Sequence, residues 1–165
     1  MTEDSAFSPS DLDRFDLAIL EILQQDNTTP QRLIGERVNL STAAVHRRIR
    51  RLQAEGVIAG NVASVDPARV GRPITIVVDV QIESERLDML DATKRSFSSA
   101  PEVQQCYYVT GDADFVLIIT VASMGEYEAL TRKLFFGNHN VKRFRTLVVM
   151  DRIKTGVTVP LRPPG

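Results

Sequence analysis

The chain has 165 residues, 43 % hydrophobic and 25 % charged, and its 20 basic against 21 acidic side chains leave a net charge of −1. It is therefore long enough for one large or two small globular domains, and any strongly basic stretch must be local. A single cysteine, Cys106, excludes an internal disulfide, no run approaches the roughly 18 apolar residues of a membrane span, and the acidic start MTEDSAFSPSD lacks a secretion signal; a soluble, cytoplasmic protein is expected.

Up to about residue 60, apolar residues recur at helical spacing. A first helix is expected from about Leu12 to Gln25, with Phe15, Ile19, Ile22 and Leu23 on one side. Ser10 would cap it, and Asp11 and Asp13 suit the positive end of its dipole. The stretch DNTT breaks that helix, and Pro30 suits the first turn of a second one reaching about Val38. Gly35 is a weak helix former there, which makes sense if another backbone packs closely. Asn39 can take a left-handed turn conformation, Ser41 then caps a third helix, and Gly56 ends it. Residues Val57 to Val65 read as a short β-ribbon, followed by a linker through Asp66-Pro67 and Gly71-Arg72-Pro73.

Beyond the linker the period changes to two. Ile74, Ile76, Val78, Val80 and Ile82 alternate as a strand, and a helix follows from about Arg86 to Ser99 with Leu87, Leu90 and Phe97 buried. Val103 to Thr110 reads as a strand, TGDAD as a tight turn, and Phe115 to Val121, apolar on both faces, as a central strand. A helix from Gly125 to Phe136, ended by GNHN, and a last strand from Val141 to Lys154 complete the order β-α-β-β-α-β. That order argues for a ferredoxin-like sandwich; the tail PLRPPG is expected to be loose.

The third helix holds four arginines in five positions, Arg47, Arg48, Arg50 and Arg51. On a helical wheel Val45, Ile49 and Leu52 form the buried stripe. Opposite them lie Ala43, Arg47, Arg50 and Ala54, flanked by His46 and Arg51, while Arg48 sits beside the buried edge. A solvated helix face is the plain explanation, but residues 43–54 contain no acid, although intrahelical ion pairs would favour mixing them in. Two capped helices around a short turn match helix-turn-helix geometry, and small residues ahead of guanidinium groups suit approach to a DNA groove.

These stretches carry a resemblance. LDRFDLAILEILQQD, and RLIGERVNLSTAAVHRRIRRLQAEGVIAG after it, resemble the DNA-binding domain of the Lrp/AsnC family of transcription regulators. The match lies in Leu12-Asp13, Leu40-Ser41, Val45, Arg48, Ile49, Leu52 and the run Glu55 to Ile58. VTGDADFVLIITV and RTLVVM are similar to that family's effector-binding and oligomerisation domain, so the resemblance covers roughly residues 11–155. Gly35 stands where the family usually has alanine or serine, and Asn39 where a glycine is common. The resemblance implies an α+β protein: a winged helix-turn-helix at residues 1–60, a linker at 61–73 and a ferredoxin-like effector-binding domain at 74–165. It also implies that the third helix enters the major groove of double-stranded operator DNA through Ser41, Thr42, Ala43, His46, Arg47 and Arg50. Arg51 would touch backbone phosphate, and Arg48 would brace the domain. Homodimers assembling to tetramers or octamers are implied as well.

Gly111, Asp112 and Asp114 form the second constellation. Two carboxylates without a third ligand are insufficient for a metal, and Gly and Asp are common in a bare turn. The functional alternative is an amino-acid site, in which the carboxylate meets an ammonium and the glycine turn offers N–H groups to a carboxylate. The family's effector pocket sits at this turn, between dimers, which favours the second alternative; Leu147 and Val148 are expected to shape it. His46 and His139 fall in separate halves, and no nucleophile–base set or phosphate loop is present, so neither catalytic residues nor a cofactor are expected. A small-molecule enzyme built on the sandwich half is the rival reading, and a protein-interaction adaptor a third. The acid-free arginine helix argues against the first, and salt-dependent DNA binding would exclude the second.

Overall fold

The computed structural model describes residues 11–161. Two compact units emerge: one holds the residues up to Ala63 together with those from Thr155 on, the other Ser64–Lys154.

The first unit is built on three helices, α1 (Arg14–Gln25), α2 (Gln31–Val38) and α3 (Thr42–Ala54). Helix α1 begins two residues later than its apolar pattern suggests, because Asp13 and Asp16 form a reciprocal capping box: Asp13 Oδ1 accepts from the Phe15 and Asp16 N–H groups (2.8 and 2.9 Å), and Asp16 Oδ2 from the Asp13 N–H (3.1 Å). The expected cap, Ser10, lies outside the described residues. Asn39 ends α2 at φ 57°, ψ 46°, in the left-handed region. The turn is then held by the Leu40 N–H on the Gly35 carbonyl (3.0 Å). A Cβ at Gly35 would stand 2.5 Å from the Leu40 carbonyl oxygen, so the glycine is there because the turn passes against it. Ser41 Oγ accepts from the Ala44 N–H (3.1 Å) to cap α3, and Gly56 follows at φ 73°. Ile19, Ile34, Val38, Val45 and Ile49 form the core, with Ile22, Leu23, Leu40 and Ile58 against it. Each fully buried aliphatic side chain contributes about 1.5–3 kcal/mol.

Residues 57–65 contain no strand, contrary to the ribbon expected there. Ile58 is tied back by its N–H to the Leu52 carbonyl (3.0 Å) and packs on the core. Val62 and Val65 are exposed and pair with no strand among the described residues. The segment that follows Thr155 belongs to this unit through α1: Gln24 Nε2 donates to the Val159 carbonyl (3.0 Å) and Gln24 Oε1 accepts from the Val159 N–H (2.7 Å). Most of the tail expected to be loose lies outside the described residues.

In the second unit β1 (Ile74–Ile82), α4 (Leu87–Ser98), β2 (Val103–Tyr108), β3 (Phe115–Val121), α5 (Met124–Thr131) and β4 (Val141–Val148) follow in the expected order. The sheet is antiparallel in the order β2-β3-β1-β4, which places β3 inside it. Ile76, Val78, Val80 and Ile82 pack with Phe115, Leu117, Ile119 and Val121 beneath the helices. Phe97 meets Phe115 and Phe135 edge-on at 5.4 and 6.0 Å. Leu87 is exposed, not buried as its spacing suggested, because it is the first residue of α4 and precedes the turn that docks; Leu90, Thr93 and Phe97 make the contact. The last helix is shorter than expected and passes into a π-helical segment, Arg132–Phe136. β4 stops at Val148, short of Lys154. The other face of the sheet carries Val77, Asp79, Gln81, Val116, Ile118, Arg143, Arg145 and Leu147, alternate residues of β1, β3 and β4.

Candidate DNA-reading face and effector turn

Helix α3 buries Val45, Ile49 and Leu52 and turns its opposite side outward. Ser41, Thr42, Ala43, His46, Arg47 and Arg50 are all exposed. His46 Nδ1 lies 3.2 Å from Gln31 Oε1 on α2, a contact that orients the ring. The four arginines divide into two pairs. Arg47 and Arg50 make no ion pair among the described residues. Arg48 and Arg51, one turn apart on the flank nearest α1, are both bound to Asp16. Arg48 Nη1 donates to Asp16 Oδ1 and Asp13 Oδ2, each at 2.8 Å, and Arg51 Nη2 donates to Asp16 Oδ2 at 2.6 Å. The Arg48 guanidinium also lies over the Phe15 ring, 5.4 Å from its centroid.

Asp16 is fully buried. A buried carboxylate is tolerated only with charged partners that saturate its oxygens, and two guanidinium groups with one backbone N–H do so here. Burial disfavours charge on Asp13, yet the Asp16 N–H, the Arg48 guanidinium and the Phe15 N–H outweigh it and hold that carboxyl below its ordinary range. Burial likewise works against charge on Arg48, but its hydrogen bonds to Asp16 and Asp13 prevail and push its pKa up. Arg48 thus braces the domain as expected. Arg51, assigned to phosphate by position, has its guanidinium on Asp16. The acids missing from α3 come from α1, 35 and 32 residues earlier for Arg48. The Asp13-x-x-Asp16 spacing signals a capping box but not the ion pairs; the sequence assigned Asp13 only to the helix dipole, and Asp16 stood out in no pattern.

The turn between β2 and β3 is a hub of backbone bonds. The Asp114 N–H donates to the Val80 carbonyl and its carbonyl accepts from the Val109 N–H, both at 2.9 Å. Asp114 Oδ2 accepts from the Ile82 N–H (2.8 Å), so one carboxylate oxygen is spent on the end of β1. Asp112 is exposed, and its carbonyl accepts from Gln81 Nε2, whose Oε1 in turn accepts from Arg143 Nε (2.7 Å). Gly111 has φ 122°, and a Cβ there would meet nothing within 4 Å, so backbone conformation rather than crowding requires glycine. An open cavity of about 730 Å³ lies beside the turn, lined by Asp79, Gln81, Thr110, Asp112, Arg143 and Arg145 among others. Asp79 and Arg145 are ion-paired across β1 and β4. None of these four strand residues stood out in the sequence, since a polar residue every second position reads as an ordinary exposed face.

Leu147 and Val148 are not at this turn within one chain. They stand opposite Val77 and Ile76, whereas the turn bonds to Val80 and Ile82. At about 3.3 Å per residue this is roughly 10–20 Å along β1. The two also point to opposite faces of the sheet. Among the described residues no group of three or more His, Cys, Asp or Glu side chains is placed to hold a metal ion, and no helix is long and apolar enough to cross a membrane.

A helix-turn-helix with an outward cationic second helix, and a separate βαββαβ unit with a glycine–aspartate turn, define a two-domain DNA-binding regulator. Residues 12–59 match the family model described as winged helix-turn-helix DNA-binding, and residues 75–159 that of the Lrp/AsnC ligand binding domain. The chain belongs to the Lrp/AsnC family of transcription regulators. It is 46 % identical over 151 residues to an uncharacterised HTH-type transcriptional regulator of Sinorhizobium fredii, covering 92 % of this chain and 89 % of that one. The structure is similar to that of an AsnC family transcriptional regulator from Agrobacterium tumefaciens (TM-score 0.85, 30 % identity, 90 % of this chain and 97 % of that one). It is also similar to a Neisseria meningitidis transcriptional regulator solved as its L-Met complex (TM-score 0.84, 26 % identity, 90 % and 96 %).

Proposed function

We propose that this regulator reads operator DNA through Ser41, Thr42, Ala43, His46, Arg47 and Arg50, and that an amino acid bound at the Gly111–Asp114 turn adjusts its occupancy. The observation that carries the DNA reading is the exposed Arg47–Arg50 pair, free of ion pairs among the described residues and opposite the buried Val45–Ile49–Leu52 stripe. Arg47→Ala and Arg50→Ala test it in electrophoretic shifts at matched salt. A lost base contact costs about 1–3 kcal/mol and relaxes specificity, and a lost phosphate contact lowers the salt slope by about one. Unchanged affinity in both variants, with unchanged melts, refutes the assignment.

The effector reading rests on a turn with a left-handed-region glycine, the exposed Asp112 and the second oxygen of Asp114, a combination that complements a zwitterion. A structural relative was solved with L-Met, which supports the ligand class. Leu147 and Val148, distant from the turn in one chain, reach a ligand only if a second copy brings them. The helix-free sheet face, with Val77, Val116, Ile118 and Leu147, suits pairing of two copies, and dimers would assemble further to tetramers or octamers. In functional terms the division is a reading domain at 1–60, a linker at 61–73 and an effector domain at 74–165, working in the cytoplasm by binding, not catalysis. A thermal-shift screen of the twenty amino acids tests the effector, since ligands selective for the folded form raise its midpoint; no shift with any of them refutes this part.

A further inference from the structure

Two of the four arginines on the reading helix are held inward by one buried carboxylate. Each Asp16 oxygen carries its own guanidinium, Oδ1 that of Arg48 and Oδ2 that of Arg51, and the side chain is only 1 % exposed. It cannot easily turn away, because Oδ2 also accepts the Asp13 N–H in the capping box. Asp13 adds a second carboxylate on Arg48, and Glu55 Oε2 stands 4.0 Å from Arg51 Nε, so both arginine charges are neutralised within the cluster. The arginine side chains nevertheless keep 26 % and 41 % exposure, which leaves them free to swing outward once released.

We propose that Asp16 is a positioning residue that sets how many cations α3 offers to DNA. It withholds Arg48 and Arg51 from phosphate and leaves recognition to Arg47 and Arg50. Phosphate neutralisation drives binding to any sequence, whereas base contacts discriminate. Withholding two cations therefore lowers affinity for random DNA more than for the operator, and Asp16 contributes specificity without touching DNA. The inference rests on α3 being the reading helix.

The test measures binding of the full-length protein to a random-sequence duplex by fluorescence anisotropy across about 50–200 mM salt, for the native chain, Asp16→Asn and Asp16→Asn/Arg51→Gln. Asp16→Asn is expected to bind random DNA more tightly at low salt. Its log–log slope should steepen by about 0.9 per released arginine on each engaged helix, equivalent to roughly 3.5-fold more loss of affinity over that range for each. The double variant should give back the part of that steepening due to Arg51. A purely structural role would instead weaken binding at every salt concentration without changing the slope. A folded Asp16→Asn with the native slope overturns the proposal. Should Asp16→Asn fail to fold, Arg51→Gln alone decides: a slope flattened by about 0.9 per engaged helix shows that Arg51 already meets phosphate and overturns it, and a native slope supports it. Arg47→Ala serves as the control for the underlying reading. If Arg47→Ala binds normally, α3 is not the reading helix; if it weakens binding while Asp16→Asn keeps the native slope, only the role of Asp16 fails.

Discussion

Replacing Gly35 by alanine sets two effects of known size against each other. Gly35 is inside α2, where alanine is favoured over glycine by about 0.8–1.0 kcal/mol, so propensity alone predicts a more stable protein. The added Cβ, however, would stand 2.5 Å from the Leu40 carbonyl oxygen, with the Leu40 and Ser41 carbonyl carbons at 3.5 and 3.6 Å. Relief requires a backbone movement of nearly 1 Å, and the backbone concerned is the turn held by the Leu40 N–H on the Gly35 carbonyl. Overpacking against rigid structure costs about 1–3 kcal/mol, so the net expectation is a loss of up to about 2 kcal/mol. For a unit of this size each kcal/mol is roughly 4–8 °C of melting temperature. Because the same turn aims α3, DNA affinity at a temperature where both proteins are folded should fall as well. Thermal melts followed by anisotropy titrations measure both. A melting point several degrees above the native one, with DNA binding unchanged, would show that the turn yields freely and refute the close-approach argument.

Ile49→Ala should destabilise the helical unit by roughly 2–5 kcal/mol, since the side chain is buried in its core. Its DNA binding should recover at low temperature, unlike that of Arg47→Ala, and circular dichroism melts separate the two. Asp114→Ala should cost stability even without ligand, about 1–3 kcal/mol for the Ile82 N–H left unpaired. Calorimetry with the best ligand, below both melting points, should show affinity lower by one to two orders of magnitude; equal affinity removes the ammonium role of this carboxylate. Asp13→Asn should flatten the acid limb of the stability curve. The folded-state pKa of Asp13 is lowered, so its stabilisation is complete above the ordinary carboxylate range and is lost as pH falls through the folded value, below about pH 4. Urea melts of the two proteins should converge toward low pH, and curves parallel from pH 7 to 3 would contradict this.

Local chemistry was sufficient wherever a residue's role is settled by its near neighbours in the chain. The left-handed Asn39, the Ser41 cap, the Gly56 terminus and the Val45–Ile49–Leu52 stripe follow from backbone sterics and a period of 3.6, and the βαββαβ order follows from the switch to a period of two. Tertiary structure decided what lies across space. No spacing rule links Asp16 to Arg48 and Arg51, because the partners sit on different helices and meet only when α1 packs beside α3; the wheel set Arg48 apart beside the buried edge, but Arg51 looked available for phosphate when it too is bound. Leu87 had the right spacing but precedes the docked turn of its helix, and Val57–Val65 had strand-forming residues but no partner strand. Leu147 and Val148 are close in sequence, yet a period of two sends them to opposite faces, and strand register places both away from the turn they were grouped with. Periodicity tells which side of an element is apolar; only packing and register determine which groups meet there, because contacts between elements depend on distances that the local sequence does not encode.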